Sequence, residues 1–431
     1  MNRTLIKNGR LVDPANRLDE AGDVLIEDGR IAAVGLGLAA GDAEIYDASG
    51  LVVGPGFIDL RAQLREPGLE HAEDIESGSR AAAAGGFTAV CCLPETSPVN
   101  DSATVTSFLV ERASNRAVVK VWPIGALTKD GAGEQLAEIG SMHEAGAAAV
   151  GDGEHTVIDS GVMRRALRYA DSFGLTVMAH CEDPSLSGDD GIHEGVLSSR
   201  LGLSGVPVAA ESAVVARDLI LCRSTGARLH VAHLSAAESI RAIASAKAEN
   251  VPVTAEVAAH HLVLSVADMP DYDSNYKIRP PLRDVSDREA LLEAAASGAI
   301  DAVVSDHSPH TGNVKMQEFE RCPFGVAGLE TAVALALEAL VHSGRASLAR
   351  LIELFTSGPA GVLGVERGGI TAGAEADLTL LNLESEWTFD LNRSYSKSRN
   401  SPFGGRVFRG GPAATFFAGR LVWDRQEGLR N

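Results

Sequence analysis

The stretch that decides the fold is residues 54–68, GPGFIDLRAQLREPG. The 53 residues before it read as short strands separated by Asn-Gly, Asp-Gly and Ser-Gly turns, which are typical of β-hairpins. After residue 55, apolar runs of strand length alternate with segments of helix length. A different architecture therefore begins at this stretch, and the role of Arg61 and Gln63 at its polar end needs an explanation.

Eight apolar runs after residue 55 are interpreted as β-strands joined by helices. Continuous apolar strands connected in this way indicate a parallel sheet that is buried on both faces. Eight such units predict an α/β fold, the (β/α)8 TIM barrel, whose active site lies at the carboxyl ends of the strands. The runs cover residues 56–60, 86–93, 117–127, 147–151, 175–180, 227–233, 251–257 and 300–305.

Hairpin-like sequence returns after about residue 365, with short strands separated by glycine turns. We expect the two ends of the chain to form one small β-sandwich domain together, with the barrel inserted between them. This interpretation assigns residues 1–54 and 366–431 to the β-sandwich and residues 55–365 to the barrel.

Composition and charge narrow the classes of function. The 431 residues carry 38 Lys and Arg against 58 Asp and Glu, a formal net charge of −20, and no basic cluster is present. Nucleic acid and anionic membrane surfaces are therefore not expected as partners. The sequence has no run of about 18 apolar residues and no signal-peptide pattern, so we expect a soluble cytoplasmic protein without a membrane span. Five cysteines without a C-x-x-C spacing argue against a disulfide framework or a cysteine zinc site.

Polar residues recur where the predicted strands end. A single histidine there is usually a hydrogen-bonded structural residue, and an aspartate is usually a turn or helix cap. Histidine and aspartate at several strand ends, however, are the ligand types that bind zinc. We therefore interpret this edge of the barrel as a site derived from a metal site. Its residues are Asp59, Arg61, Gln63, Arg65, Asp152, His180, His230, His233, Asp306 and His310.

Motifs along nearly the whole chain are similar, in the same order, to those of a known family. They are GFIDL (56–60), LREPG (64–68), LPETSP (93–98), AHCED (179–183), HVAHLS (230–235), RPPLR (279–283), SDHSPH (305–310), GVAGLET (325–331) and SKSRNSPFGG (396–405). The chain resembles a class I bacterial dihydroorotase of the amidohydrolase superfamily, and is close to the pseudo-dihydroorotase members that lack a His-x-His motif. The resemblance implies the barrel and sandwich fold, a cyclic amide hydrolase reaction on dihydroorotate in pyrimidine biosynthesis, and one or two zinc ions.

The resemblance also implies a role for each matching residue. Asp306 falls at the position of the proton shuttle and is the implied catalytic residue. The implied zinc ligands that remain are His180, His233 and Asp152. The implied substrate-binding positions are Arg65, Glu95, Arg279 and His310.

The family's first motif, His-x-His-x-x-Arg, is changed at both histidine positions. Arg61 cannot ligate zinc because its guanidinium has five donors and no free lone pair, and Gln63 is at best a weak ligand. The family's Asp-Asp-Gly is Gly151-Asp152-Gly153 here, so we take Gly151 as a third substituted ligand position.

Two substrate-binding positions are also changed, because Glu95 and Arg279 stand where the family has asparagines. Dihydroorotate is an anion, and Glu95 should repel it. We expect Arg61 to pair with Asp306 and to supply the positive charge that zinc would supply, and Glu95 and Arg279 to form a second ion pair. The alternative is a residual site holding one zinc ion at most on His180, His233 and Asp152.

The leading interpretation is a dihydroorotase homologue with impaired or no catalysis, which acts as a structural partner of aspartate transcarbamoylase. The alternative is an active zinc-dependent cyclic amidohydrolase, of the dihydroorotase or hydantoinase-like kind, with a small cyclic amide as substrate. In either case we expect a homo-oligomer.

Overall fold

The computed structural model describes residues 3–188, 191–366 and 369–430. Its strands belong to an eight-stranded sheet, a nine-stranded sheet and a two-stranded sheet. The strands are β1 (Arg3–Asp13), β2 (Leu18–Glu27), β3 (Arg30–Gly35), β4 (Glu44–Asp47), β5 (Val52–Pro55), β6 (Phe57–Ala62), β7 (Phe87–Cys92), β8 (Lys120–Gly125), β9 (Ala149–Val150), β10 (Val177–Ala179), β11 (Ile192–His193), β12 (Gly205–Val206), β13 (Leu229–Val231), β14 (Val253–Ala258), β15 (Ala302–Val304), β16 (Leu378–Thr388), β17 (Val407–Phe417), β18 (Arg420–Asp424) and β19 (Gly428–Leu429).

Helices lie mainly between the barrel strands, as the alternating pattern predicts. No helix in the described part of the chain is long and apolar enough to cross a membrane. The α-helices are α1 (Ile75–Ala84), α2 (Ala103–Arg116), α3 (Ile139–Glu144), α4 (Ser160–Asp171), α5 (Pro184–Ser187), α6 (Val196–Leu201), α7 (Ala209–Thr225), α8 (Ala237–Ala248), α9 (Val285–Ser297), α10 (Gly312–Lys315), α11 (Ala332–Ala336), α12 (Leu348–Phe355) and α13 (Ser357–Leu363).

The eight-stranded sheet is the predicted parallel barrel, in the order β6-β7-β8-β9-β10-β13-β14-β15. Each of the eight predicted runs overlaps one of these strands, and even the run at 147–151 does so through the two-residue strand β9. The first and last strands meet just beyond their ends. There the Gln63 N–H donates to the carbonyl of His307 at 2.8 Å, and the His307 N–H donates to the carbonyl of Arg61 at 3.2 Å. The barrel therefore closes at the edge where the predicted site residues lie.

Alternation along the strands separates two cores. Phe57 and Val90 pack in the cluster that includes the helices, whereas their neighbours Ile58 and Cys91 pack in a separate, smaller cluster. Successive strand side chains point to opposite faces, so the smaller cluster fills the inside of the barrel.

The nine-stranded sheet combines both ends of the chain, in the order β19-β18-β17-β16-β5-β1-β2-β3 with β4 beside β1. Strand β5 joins the two halves, since it pairs parallel with β1 and antiparallel with β16. Ile6, Val53, Leu378 and Phe416 share a buried core that is separate from the barrel. The predicted β-domain built from both termini is therefore present, with its strands hydrogen-bonded into one mixed sheet; the exact domain boundaries remain a prediction.

A buried carboxyl group also joins the first and last barrel strands. Asp59 accepts hydrogen bonds from the Ser305 N–H at 2.7 Å and lies 2.6 Å from the Ser305 hydroxyl, which is itself 3.3 Å from the carbonyl of Arg61. Burial raises the pKa of Asp59 to about 8, so this carboxyl is mostly protonated at neutral pH. A neutral group at this position therefore suffices to join the strands.

We predict that Asp59→Ala lowers the free energy of unfolding by about 2–4 kcal/mol, because it leaves a cavity and an unsatisfied buried N–H at Ser305. Asp59→Asn should cost less than about 1.5 kcal/mol, because its amide keeps the shape and the hydrogen bonds of the protonated acid. Urea denaturation of the two variants measures both values. An asparagine variant as unstable as the alanine variant would contradict the neutral-carboxyl interpretation.

Candidate functional site

The candidate site lies at the carboxyl ends of the barrel strands, where loops after β6, β7, β9, β10, β13 and β15 converge. Three of its residues have left-handed backbone angles that side chains rarely adopt: Arg65 at φ 58°, His233 at φ 30° and Asp306 at φ 50°. Such conformations are costly and persist where the surrounding structure enforces them, often at functional sites. The surrounding structure therefore holds these three residues in strained backbone conformations.

Arg61, the last charged residue of β6, forms the predicted ion pair with Asp306. Its Nε donates to the Asp306 carboxylate at 2.8 Å, and its Nη2 donates to the carbonyl of Gly153 at 3.1 Å. Both partners are more than nine-tenths buried. Burial opposes the charge on Arg61, but the field of Asp306 and three further carboxylates keeps its pKa above the ordinary value, so the guanidinium is charged.

Two effects act in opposite directions on the pKa of Asp306. Burial raises its pKa to about 6, while the charge and hydrogen bond of Arg61 lower it. One face of the carboxylate is occupied by the guanidinium, and its other oxygen lies 3.8 Å from Nε2 of His260. An aspartate held in this way has a permanent cationic partner.

Gln63 links two acidic side chains across the mouth of the barrel. Its Nε2 donates to Glu95 at 2.9 Å and to Glu154 at 3.0 Å, while its Oε1 accepts from the Ser308 hydroxyl at 3.0 Å. Glu95 also accepts the backbone N–H of Glu154 at 2.8 Å. The amide therefore uses both donors and its acceptor on neighbouring side chains, which a histidine at this position could not do.

Glu95 and Glu154 form a like-charged pair. Burial raises the pKa of both carboxyls, and the charge of Glu154 raises that of Glu95 further, while Arg61 and Arg65 act in the opposite direction. Glu154 was not singled out in the sequence. The only available signal was a second carboxylate two residues after Asp152, and nothing showed that it would face Glu95.

His180 and His233 lie together, as their common position after neighbouring strands predicts. Nδ1 of His180 is 3.1 Å from Nε2 of His233, and the two rings are stacked with centroids 4.9 Å apart. Burial and the charge of Arg61 hold the pKa of both imidazoles well below the ordinary value, so both are neutral at pH 7. Nδ1 of His233 has no hydrogen-bond partner among the described residues.

His260 is a further buried histidine that the sequence interpretation missed. It follows β14, its Nε2 has no hydrogen-bond partner in the described part of the chain, and that nitrogen lies 3.8 Å from the Asp306 carboxylate. The signal was available as the adjacent pair His260-His261 directly after the seventh predicted barrel strand.

The structure does not bring Asp152 to the two histidines as a ligand. Its carboxylate accepts from the N–H groups of Leu127 and Thr128 at 2.7 and 2.9 Å and from the Thr128 hydroxyl at 2.6 Å. These three donors occupy both oxygens, so Asp152 holds the loop after β8 in place. This is a structural role.

Two glycines, Gly151 and Gly153, flank Asp152. Gly151 was predicted to be the substituted ligand position, but it does not face the cluster. A Cβ at Gly151 would fall 2.3 Å from the carbonyl oxygen of Met178, so no side chain fits there. A Cβ at Gly153 would fall 2.2 Å from the carboxyl carbon of Glu95. The glycine that faces the cluster is therefore Gly153 rather than Gly151.

The side chains present do not fit a catalytic zinc ion. Two ligands on one tetrahedral zinc lie about 3.3 Å apart, so the His180–His233 spacing is compatible with one ion. A catalytic zinc, however, takes three protein ligands. Asp152 and Asp306 are engaged elsewhere, and no group of three His, Cys, Asp or Glu side chains in the described ranges is arranged to hold a metal.

The predicted ion pair between Glu95 and Arg279 is wrong. Arg279 pairs with Glu182, with Nε and Oε1 3.2 Å apart, and its guanidinium stacks on the ring of Phe324 at 3.9 Å from the centroid. Glu95 instead bonds to Gln63 and the backbone of Glu154. Each residue therefore makes its polar contacts with a partner other than the predicted one.

Arg65 and His310 lie side by side at the rim. Arg65 Nε donates to the carbonyl of Pro309 at 3.2 Å, and its Nη2 contacts the Ser308 hydroxyl at 3.3 Å and Nε2 of His310 at 3.1 Å. The same His310 nitrogen donates to the carbonyl of Phe324 at 2.7 Å. Burial and the charge of Arg65 lower the pKa of His310 to about 3, so this imidazole is neutral.

A cavity of about 380 Å³ opens beside this cluster. Its size is that of a small-molecule site. The polar lining includes Gln63, Arg65, Glu95, Asp130, Glu154 and His310, and the apolar lining includes Leu69, Pro94, Val99, Pro323 and Phe324.

Comparison with known proteins shows similarity over the whole chain. The chain is 54% identical over 422 residues to the dihydroorotase of Solibacter usitatus (strain Ellin6076), covering 98% of each protein. It is 46% identical over 421 residues to the dihydroorotase of Syntrophotalea carbinolica, covering 98% of this chain and 99% of that one. The family described as dihydro-orotase-like matches residues 50–239.

Solved structures agree with this result. The L-hydantoinase (dihydropyrimidinase) of Arthrobacter aurescens matches with a TM-score of 0.87 and 25% identity, covering 100% of this chain and 98% of that one. A D-hydantoinase (dihydropyrimidinase) from Thermus sp. matches with a TM-score of 0.84 and 26% identity, covering 99% and 97%. The chain therefore belongs to the dihydroorotase family and folds as an amidohydrolase TIM barrel.

Proposed function

We propose that this chain is a non-catalytic member of its family, which serves pyrimidine biosynthesis as a structural partner of aspartate transcarbamoylase. The observation that carries the loss of catalysis is the buried ion pair between Arg61 and Asp306. It places a fixed cation on the residue that the family resemblance assigns as proton shuttle. A shuttle must alternate between its protonated and ionised forms, and here a guanidinium that donates a hydrogen bond to one carboxylate oxygen favours the ionised form.

The charge of the cavity supports the same conclusion. Glu95 and Glu154 line it together with Arg65. Dihydroorotate carries a carboxylate, and two acidic side chains in a partly desolvated cavity disfavour an anion unless they are protonated. The single arginine on the wall leaves this repulsion only partly offset.

The partner role is supported by family resemblance alone. For a family member without catalytic activity, binding another protein is the simplest remaining role. Aspartate transcarbamoylase is the partner that the resemblance implies. We also propose that the chain assembles as a homo-oligomer.

A second candidate function is a cyclic amide hydrolase of the dihydroorotase or hydantoinase-like kind that uses one zinc ion. The observation that favours it is the pair of neutral imidazoles, His180 and His233, whose facing nitrogens are 3.1 Å apart. The third ligand that such a site needs is not supplied by Asp152. The two candidate functions differ in whether the chain turns over a cyclic amide, and this turnover can be measured directly.

We predict that the purified chain, supplied with zinc, neither hydrolyses dihydroorotate nor forms it from carbamoyl aspartate above the buffer rate. The dihydroorotase of Solibacter usitatus serves as the positive control. The variant Arg61→His with Gln63→His should stay inactive, because Glu95 and Glu154 still line the cavity and Gly151 still supplies no carboxylate. Wild-type turnover of about 1–1000 per second would reject the proposal in favour of the zinc hydrolase.

We predict that the chain forms a complex with the aspartate transcarbamoylase of its own organism. Size-exclusion chromatography with light scattering, at micromolar concentrations of both proteins, should show one species of larger mass than either protein alone. Each protein run separately is the control, and it also gives the oligomeric state of this chain. Independent elution at every mixing ratio would contradict the partner role while leaving the loss of catalysis to the turnover assay.

A further inference from the structure

We propose that a second cavity, in the β-domain, binds a small molecule that joins an oxyanion to an apolar ring, with the oxyanion, a carboxylate or a phosphate, held by Arg425. The cavity has a volume of about 950 Å³ and shares no lining residue with the cavity at the barrel mouth. It is lined mainly by residues 387–395 and by the turn that joins β18 to β19. The inference therefore goes beyond the proposed function, and it does not depend on whether the barrel mouth is catalytic.

Arg425, in the turn after β18, presents a fixed guanidinium to this cavity. Its Nε and Nη2 both donate to the carbonyl of Pro412, at 2.8 and 2.6 Å, and its planar group lies over the ring of Trp387, 4.0 Å from the centroid. These contacts use one edge and one face of the guanidinium. The other edge, formed by Nη1 and the second N–H of Nη2, donates to no described residue. Two parallel N–H groups of this kind bind a carboxylate or a phosphate through two hydrogen bonds.

Arg425 also lacks a counter-ion. The side chain is half-buried, and no ion pair among the described residues includes it. Burial lowers the pKa of Arg425 to about 10, because the charge of Asp424 offsets only part of the effect, and the guanidinium stays charged at neutral pH. A partly buried charge without a partner is costly, and a bound anion would supply the partner. Arg393 lines the same cavity and adds a second positive charge.

The acidic residues of the cavity lining already have partners. One oxygen of Glu330 accepts hydrogen bonds from residues 394–396, and burial raises the pKa of this carboxyl to about 7. The Glu427 carboxylate accepts from Nε of Arg430 at 2.7 Å, and the Asp390 carboxylate accepts the backbone N–H two residues further along at 2.9 Å. These acids therefore oppose an anion at Arg425 less than free carboxylates would.

Aromatic and apolar side chains form much of the remaining lining. A single oxyanion would fill only a small part of the cavity and would leave this apolar surface in contact with water. A ring attached to the oxyanion covers that surface, which favours a ligand that carries both parts. The apolar lining residues are Trp387, Phe389, Leu391, Tyr395 and Trp423.

The probes are benzoate, phenyl phosphate and benzamide, which carry the same ring with a carboxylate, a phosphate and a neutral amide. Two of the three tryptophans of the chain, Trp387 and Trp423, line the cavity, so tryptophan fluorescence reports binding there. We predict that at least one of the two anions binds the wild-type chain about 10–100-fold more tightly than benzamide, the range expected of charge-assisted hydrogen bonds. The anion that binds more tightly identifies the head group.

Variants locate the bound anion. Arg425→Gln should remove the preference for the anion, whereas Arg420→Gln should keep it, because Arg420 is an exposed arginine of β18 that does not line the cavity. Arg65→Gln should also keep the preference, because Arg65 lines the barrel mouth instead. If Arg425→Gln does not fold, Arg425→Lys keeps the charge and loses the pair of parallel donors. It should bind the anion roughly 10-fold more weakly, which is the effect of one charge-assisted hydrogen bond.

Two kinds of result would overturn the inference. One is equal binding of benzamide and both anions by the wild-type chain, or an anion preference that is unchanged in the Arg425 variants. The other is an anion preference that Arg65→Gln removes, which would place the anion at the barrel mouth. Each of these results would leave the proposed function in place, because that function is tested by turnover of dihydroorotate.

Discussion

A guanidinium buried against a carboxylate, Arg61 on Asp306, is the interaction on which the barrel mouth depends. Neither charge could lie there alone, because an unpaired ion costs several kcal/mol in such surroundings. The guanidinium of Arg61 supplies the positive charge that balances the buried carboxylate of Asp306. Burial is the main cause of the lowered pKa of His180 and His233, and the charge of the nearby Arg61 adds to it, so both imidazoles stay neutral.

The neighbouring residues complete the same arrangement. Gln63 uses its amide to hold Glu95 and Glu154, and Gly153 leaves the space in which Glu95 sits. Asp152, whose motif suggests a ligand, instead binds the backbone at Leu127 and Thr128. Each of these contacts is compatible with the next, so the mouth of the barrel is a connected polar network, in which Nδ1 of His233 and Nε2 of His260 have no hydrogen-bond partner among the described residues.

Much of the fold could be predicted, because strand periodicity and turn residues are local signals. All eight barrel strands overlap the predicted runs, and the ion pair of Arg61 with Asp306 followed from the chemistry of two strand ends. The pair of Glu95 with Arg279 was wrong, because both residues lie on loops whose direction no periodicity reports. Glu154 was missed for the same reason, whereas His260 follows a predicted strand and could have been identified from the sequence.

Family membership by itself does not decide catalysis in this chain, since proteins named dihydroorotase align with it from end to end. The most direct test of the central claim is the zinc content of the chain after expression with added zinc and gel filtration, measured by mass spectrometry of the metal. Because a guanidinium and an amide stand at the two imidazole positions, we predict a zinc content well below one ion per chain. One or two tightly held zinc ions per chain would contradict the claim that Arg61 takes the place of a metal ion.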